Sequence, residues 1–327
     1  MSEVSRSCFY SMQSIFVASD FLQYATQALY QAYDLAQSSC ASITCFHALE
    51  KFPEIMRDIL FPYAALGSDE VEILQEVKSG IEDRGNKYLE QVMQENAAHI
   101  RLRVDFARDS MAKSILHAAA ECNADLMFSG SYGTKPHTTG IIGSMAATFV
   151  AYTRIPFYLI KDPTHRGPHK KILVAFLDPS LSPQLLAWAV SFAMYYPESD
   201  IEIVSPVPVL HSPILQDDNA NFAPGEKQIR LLTDKITQKA KLAVQSLNVP
   251  FVFEEHAKKL SFRHHTPVMP PASAVLTTAE KIGADLIVLP SSQPSLNVDN
   301  ELRENARNIT EYANQNCLVI PSNFLKV

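Results

Sequence analysis

Asp20, Ser129, Gly130, Gly133, Gly143 and Ser144 are residue types that can hold a phosphorylated ligand if the chain brings them together. Three glycines fall in a frame: Gly130-x-x-Gly133, nine residues, then Gly143-Ser144. With Gly140, four of the chain's ten glycines lie within fourteen residues. The run before the frame, Ala124-Asp-Leu-Met-Phe-Ser-Gly130, reads as a strand. The run after it, Ser144-Met-Ala-Ala-Thr-Phe-Val-Ala-Tyr152, reads as a helix. A strand, a glycine loop and a helix start offer backbone N–H groups to an anion. Gly130 and Gly133 would let ribose and the first phosphates approach without a Cβ in the way. Gly143 and Ser144 would open a helix whose free N–H groups face the distal phosphates. Lys135 and His137 would screen charge from the connecting loop. The same residues also read as a tight turn and a capped helix.

The elements that must position this loop alternate strand and helix. After Asp20, Ala25, Ala28, Leu29, Ala32, Leu35 and Ala36 recur at helical spacing. Ser42–His47 reads as a second strand. A long polar helix is expected from Asp69 to about Asn96, broken near Gly80 or Gly85. Ile100–Phe106 alternates strictly, as a strand with one wet face near a sheet edge does. Ser110 is placed to N-cap the helix carrying Ile115, Leu116, Ala118 and Ala119. Such alternation implies a parallel sheet covered on both faces. Ligands of such sheets bind at the carboxyl ends of the strands, where strand order reverses. Asp20 and the glycine loop both lie at carboxyl ends, although Asp20 reads equally well as the N-cap of the helix that follows.

The pattern occurs twice, about 160 residues apart. Ile15–Asp20 matches Ile172–Asp178, Ala124–Gly130 matches Ala284–Pro290, and Ile155–Ile160 matches Asn316–Pro321. Asp20 and Ala124 are 104 positions apart, Asp178 and Ala284 106. The expected architecture is α/β, with two tandem doubly wound, Rossmann-like domains, each a five-stranded parallel sheet with helices on both faces. Their boundaries are placed at residues 1–163 and 170–327, with a polar linker over 164–169. The second copy lacks the cradle. Pro290 and Gln293 stand for Gly130 and Gly133, and Arg303 and Glu304 fall near Gly143 and Ser144. Proline has no N–H to give, and a glutamate at a helix start repels phosphate.

The formal net charge of -7 and the lack of a long Lys/Arg block argue against nucleic acid as a partner. No apolar run approaches the ~20 residues of a membrane span, and no signal peptide is read at the N-terminus. Five cysteines without a C-x-x-C pair suit a reducing cytoplasm. Cys40 and Cys45 read as small core residues flanking a strand. His256, Arg263, His264 and His265 read as part of an irregular loop, Leu260 to Pro271. No Cys/His/acid set accompanies them, so no metal is expected there. Ser205–Pro224 and Phe52–Leu66 are lid or packed-loop candidates.

The glycine frame after an Ala-Asp-Leu strand, Asp20 closing the first strand, Ala28-Leu29 in the first helix and Pro156 opening the last strand resemble the nucleotide signature of the universal stress protein family. The whole chain is similar to a tandem member. The resemblance implies ATP, an adenine nucleotide, at Asp20, Ser129, Gly130, Gly133, Gly143, Ser144 and Met145, and a regulatory stress-response role. It also implies pairing of the two domains through their last strands, Pro156–Ile160 and Cys317–Ile320, and is compatible with a homodimer. Phe21-Leu22, Arg108 and Thr134–His137 depart from the family pattern. No P-loop, G-x-S-x-G elbow or H-E-x-x-H helix is present. Two alternatives stay open. One is a scaffold or apolar-ligand binder with a vestigial cleft. The other is a slow ATP hydrolase with Mg²⁺ held through water at Asp20.

Overall fold

The computed structural model describes residues 10–50, 70–108, 110–132, 142–178, 181–196, 199–206, 210–211, 221–222, 262–267, 269–292 and 300–325, with a few more between 227 and 238. Gly133, Lys135, His137, Gly140, Gln293, His256, the segment Phe52–Leu66 and most of Ser205–Pro224 lie outside them.

Short apolar runs become parallel strands. In the first half these are β1 (Ser14–Ala18), β2 (Ser42–Leu49), β3 (Ile100–Phe106), β4 (Leu126–Gly130) and β5 (Phe157–Ile160). The second half supplies β6 (Lys171–Ala175) and β7 (Asp200–Val204). A separate antiparallel pair follows, β8 (Leu210–His211) with β9 (Asn221–Phe222), then β10 (Phe262–His265), β11 (Leu286–Ser291) and β12 (Asn316–Pro321). Ten of the strands make one sheet in the order β10-β7-β6-β11-β12-β5-β4-β1-β2-β3. Every pairing in it is parallel except β5 with β12, where Leu159 faces Cys317 and Phe157 faces Val319. The strands of the two halves therefore run in opposite directions.

Both faces of the sheet are covered. Alternate residues of each strand enter two cores, Ile15, Val17, Leu126 and Phe128 on one side, Phe16, Ala18, Met127 and Phe157 on the other. Each core continues across the β5–β12 seam, whose residues Phe157–Ile160 and Cys317–Ile320 are fully buried. Burying one such Leu or Ile side chain contributes about 1.5–3 kcal/mol, so the seam is core rather than contact surface. Helix α1 (Gln23–Ser39) buries the expected face of Ala25, Ala28, Leu29, Ala32, Leu35 and Ala36. It ends at Cys40, which adopts φ 57° and is exposed, so only Cys45 is the small core residue the sequence suggested. Burial pushes the Cys45 thiol up to about 12, against a hydrogen bond with Ser19.

Helix α2 (Glu70–Met93) runs unbroken through Gly80 and Gly85, and a 3-10 turn, Gln94–His99, follows it. Gly85 is a point of close approach rather than a break: a Cβ there would stand 2.7 Å from Leu102 Cδ2. Helix α3 (Met111–Glu121) is capped by Ser110, whose side chain accepts from the Lys113 N–H. After α4 (Ser144–Tyr152), the second half repeats the plan with α5 (Ser182–Ala193), α6 (Pro271–Ile282) and α7 (Asn300–Tyr312).

The repeated Ala-Asp-Leu has a structural use. Asp125 Oδ2 accepts from the N–H groups of Gln13 and Ser14 at 2.8 and 2.9 Å, fixing the start of β1. Asp285 does the same for Lys170 and Lys171 at the start of β6. The segment read as a polar linker is exposed at Thr164, Arg166 and Pro168, but its last residue, His169, is 0% exposed. His264 and His265 lie in β10, an edge strand, not in a loop. His265 Nε2 donates to Glu202 at 2.6 Å, and His264 pairs with the Ser205 hydroxyl at 3.0 Å.

Candidate functional site

The order of the first half, β5-β4-β1-β2-β3, reverses between β1 and β4. A cavity of about 260 Å³ opens at the carboxyl ends of these two strands. That is near the lower bound, roughly 300 Å³, of small-molecule pockets, and residues 133–141 lie outside the described walls. β1 brings Ala18, Ser19 and Asp20, and β4 brings Ser129 and Gly130. Gly143, Ser144 and Met145 come from the start of α4, and His47 from β2. Of the residues singled out in the sequence, Asp20, Ser129, Gly130, Gly143, Ser144 and Met145 are thus brought to one cavity, and Gly133, Lys135 and His137 fall outside the described residues.

The strand end at Asp20 is tightly organised. Asp20 Oδ1 accepts from the Leu22 N–H at 3.0 Å, and Ser19 Oγ from the Phe21 N–H at 3.0 Å. Asp20 is therefore not the N-cap of α1; Leu22 holds that position, without a side-chain cap. Phe21 takes up the bend at φ 61° and packs its ring 4.7 Å from that of His47. His47 Nδ1 lies 2.7 Å from the Ser19 carbonyl, which can only accept, so Nδ1 carries the proton. Among the described residues, the second carboxylate oxygen of Asp20 and Nε2 of His47 have no hydrogen-bond partner.

Opposite them is the start of α4. Gly143 is its N-cap and has no side chain to cap with. The N–H groups of Ser144, Met145 and Ala146 precede the first intrahelical bond, Ala147 N–H to Gly143 carbonyl at 3.0 Å. Three backbone donors and the positive end of the helix dipole meet at the cavity wall. Ser144 and Met145 are exposed, as donors for a soluble anion must be.

Two glycines have uses beyond the ligand. A Cβ on Gly130 would lie 2.5 Å from Tyr24 Cβ, so its small size lets β4 pack against α1. The Gly143 N–H is already bonded to the Ser131 carbonyl at 2.8 Å, which closes the loop at its base. Sequence reading missed Ser19, His47 and Ser131. Ser131 is 1% exposed, lines the cavity and has an Oγ without a hydrogen-bond partner among the described residues. A serine one residue past a glycine carries no distinctive signal, so no pattern announced it. The apolar wall is Ala18, Ala48, Met111 and Ile115.

In the second half α7 already covers Asn300–Tyr312, so Arg303 and Glu304, the counterparts of Gly143 and Ser144, lie within a helix. The Glu304 N–H meets the Asn300 carbonyl inside that helix. Pro290 lies within β11.

The family model of the universal stress proteins matches residues 12–161 and again 168–321. The chain belongs to the universal stress protein family. It is similar to a universal stress protein of Archaeoglobus fulgidus DSM 4304, at 14% identity and a TM-score of 0.61, covering 96% of this chain and 97% of that one. A functionally unknown protein of Pseudomonas aeruginosa PAO1 is 13% identical with a TM-score of 0.53, covering 97% and 95%. At these identities the likeness shows the fold, two universal stress protein units in one chain. A universal stress protein in complex with cAMP covers 46% of this chain at a TM-score of 0.30, too low to inform this chain's own ligand. No curated protein matches the sequence. No helix among the described residues of this universal stress protein is long and apolar enough to cross a membrane.

Proposed function

We propose that this stress-response protein binds one ATP in its first domain and acts in the cytoplasm as a regulator rather than a turnover enzyme. The single observation that carries the reading is the uncapped start of α4, whose Ser144, Met145 and Ala146 N–H groups face a cavity bounded on its other side by Asp20. In this reading the phosphates sit at Ser144–Ala146 and the base lies against Ala18, Ala48, Met111 and Ile115. Asp20 and His47 receive the adenosine end, Ser129 and Gly130 line the ribose, and Met145 completes the described wall; Gly133 is carried in this reading on the sequence frame alone. The domains are residues 1–163 and 170–327. Pairing of β5 with β12 occupies the last-strand edges of both, so a homodimer would need another surface.

A second reading has specific support. Gly130 is accounted for by its packing against Tyr24, so that glycine would be kept in a scaffold with a vestigial cleft. Denaturing the purified protein and identifying any released nucleotide, then titrating ATP into wild type and Gly143→Asp, decides between them. ATP binding by wild type that is lost in the variant supports the nucleotide site. No binding by wild type, or equal binding by both, leaves the scaffold.

A further inference from the structure

The segment joining the two halves carries a cluster of its own, away from the nucleotide cavity and sharing no residue with it. His169 is fully buried among the rings of Tyr158, Phe192 and Tyr196. His165, four residues earlier, lies parallel on it with ring centroids 4.6 Å apart and planes 4° apart. Asp285, at the start of β11, brings Oδ1 to 3.4 Å from His169 Nδ1. One ligand atom from each of His165, His169 and Asp285 falls within 4.8 Å of the other two.

The polar atoms of this cluster are not satisfied by the protein. His165 Nε2 and His169 Nδ1 are both buried without a hydrogen-bond partner among the described residues. A buried polar nitrogen left so costs on the order of 1–3 kcal/mol. A proton on His169 Nδ1 would serve only the contact with Asp285, and 3.4 Å is too long for a good N–H···O bond. It would do nothing for His165. Asp285 already accepts from the Lys170 and Lys171 N–H groups, which orient its carboxylate. On the far side of His169, Nε2 is 2.6 Å from the Tyr158 hydroxyl. With Nε2–H donated to that oxygen, the Nδ1 lone pair points at a carboxylate, which a cation between them relieves; with the hydroxyl donating instead, Nδ1–H faces Asp285 at 3.4 Å, a long contact. A hydrogen bond from the distal imidazole nitrogen is also the outer-sphere contact that orients metal-binding histidines.

We propose that His165, His169 and Asp285 bind a divalent transition-metal ion of the zinc class, which fastens the interdomain segment to the second domain. Two imidazoles and one carboxylate suit zinc rather than magnesium or calcium, which take oxygen ligands. Metal–nitrogen bonds of about 2.0–2.1 Å bring tetrahedral ligands to about 3.3 Å from one another. The partly exposed His165, on a segment without regular structure, supplies that closure by rotating its ring. The His165 carbonyl accepts from the side-chain amides of Gln27 and Gln31 on α1. An ion here therefore links a first-domain helix, the connecting segment and a second-domain strand.

The test is zinc titrated into the full chain after chelator treatment, followed by calorimetry and metal analysis, with cobalt(II) as a spectroscopic substitute. Expected are one zinc per chain, a higher melting temperature, and cobalt d–d absorption without a thiolate charge-transfer band. His165→Ala, at a partly exposed position, and Asp285→Asn should each weaken binding by at least roughly a hundredfold. Tyr158→Phe, which removes only the outer-sphere hydroxyl, should weaken it by roughly ten- to a hundredfold. His169→Ala leaves a hole in a buried aromatic cluster and is not relied upon. A folded wild-type chain that takes up no zinc overturns the proposal and leaves the cluster to bridging water. So does zinc binding unchanged in His165→Ala and Asp285→Asn, or a cobalt spectrum showing cysteine ligation.

Discussion

Gly130 and Tyr24 stand so close that a methyl group on Gly130 would lie 2.5 Å from Tyr24 Cβ. The last residue of β4 and the first turn of α1 thus set each other's positions, and both flank the cavity. Gly130→Ala must push α1 away from the sheet, a distortion that costs roughly 1–3 kcal/mol. The melting temperature should fall with or without ATP present. A glycine kept only for ligand approach would leave the ligand-free protein's stability unchanged.

Gly143→Asp should separate folding from binding. Aspartate is a good N-cap whose carboxylate accepts from the second or third N–H of the helix. Those are the Met145 and Ala146 groups assigned here to phosphate. Among the described residues the new Cβ meets only the Ser131 carbonyl, at 3.3 Å, so a small adjustment accommodates it. Stability should stay within about 1 kcal/mol of wild type, while ATP affinity drops at least tenfold by calorimetry.

Ser131→Ala is expected to do the reverse of an ordinary core substitution. The hydroxyl is 1% exposed and unpartnered among the described residues, so its removal relieves a desolvation cost. The chain without ligand should be as stable as wild type or more so. ATP binding should weaken by roughly three- to tenfold if the ligand gives this hydroxyl its partner. Equal ATP affinity in the two proteins would remove Ser131 from the site.

The seam between halves rests partly on Lys161, which follows β5 and donates to the Thr310 and Glu311 carbonyls at the end of α7. Its backbone N–H and that of Asp162 both reach Asn316 Oδ1, at 2.8 and 3.0 Å. Lys161→Ala leaves two carbonyls at the end of α7 without this donor and should cost about 1–3 kcal/mol in denaturant unfolding. Because each core crosses the seam, unfolding should remain a single transition whether followed by Trp188 fluorescence in the second half or by far-UV circular dichroism.

Acid should weaken the outer edge of the first half. Burial disfavours the Asp105 carboxylate, but Lys78 at 2.8 Å and Arg103 at 2.6 Å outweigh it and hold its pKa below the ordinary value. Arg103 is shared with Glu121 at 2.7 Å. A carboxyl whose folded pKa is depressed adds stability above its unfolded pKa of about 3.9, and that stability is lost as pH falls through the folded value. The difference between wild type and Asp105→Asn should therefore be under about 1 kcal/mol near neutrality, given the partial exposure. It should shrink as pH falls below the unfolded pKa of about 3.9 and vanish once pH is below the depressed folded value, as urea midpoints across the range can show.

Much of this architecture was legible in the chain because it is written in local periodicities. The buried stripe of α1, the wet edge strand β3 and the Ser110 cap all follow from spacings within about ten residues. The repeat spacings likewise pointed to two like units. What escaped depends on partners distant in sequence. The Asp125 and Asp285 carboxylates act on strands that lie more than a hundred residues earlier. β10, Phe262-Arg-His-His265, lacks an apolar rhythm, so its pairing with β7 was read as a loop. His169 looked like part of a polar tether because its burying partners come from two other places, Tyr158 from β5 and Phe192 with Tyr196 from the end of α5. At the site, residue types pointed to Asp20, Ser129, Gly130 and the start of α4, which do line one cavity, while His47 and Ser131 depended on which strand ends became neighbours.

The single antiparallel step between β5 and β12 has a consequence for how anything outside reads this molecule. It turns the two halves head to tail, so their strand ends emerge at opposite poles. At one pole a cavity meets an open helix start; at the other, among the described residues, the longer α7 already covers the positions that match that start. Two copies of one plan thus give an object with a front and a back. A partner that responds to the occupant of the cavity has only one end from which to approach, and the opposite pole is free to change without disturbing it.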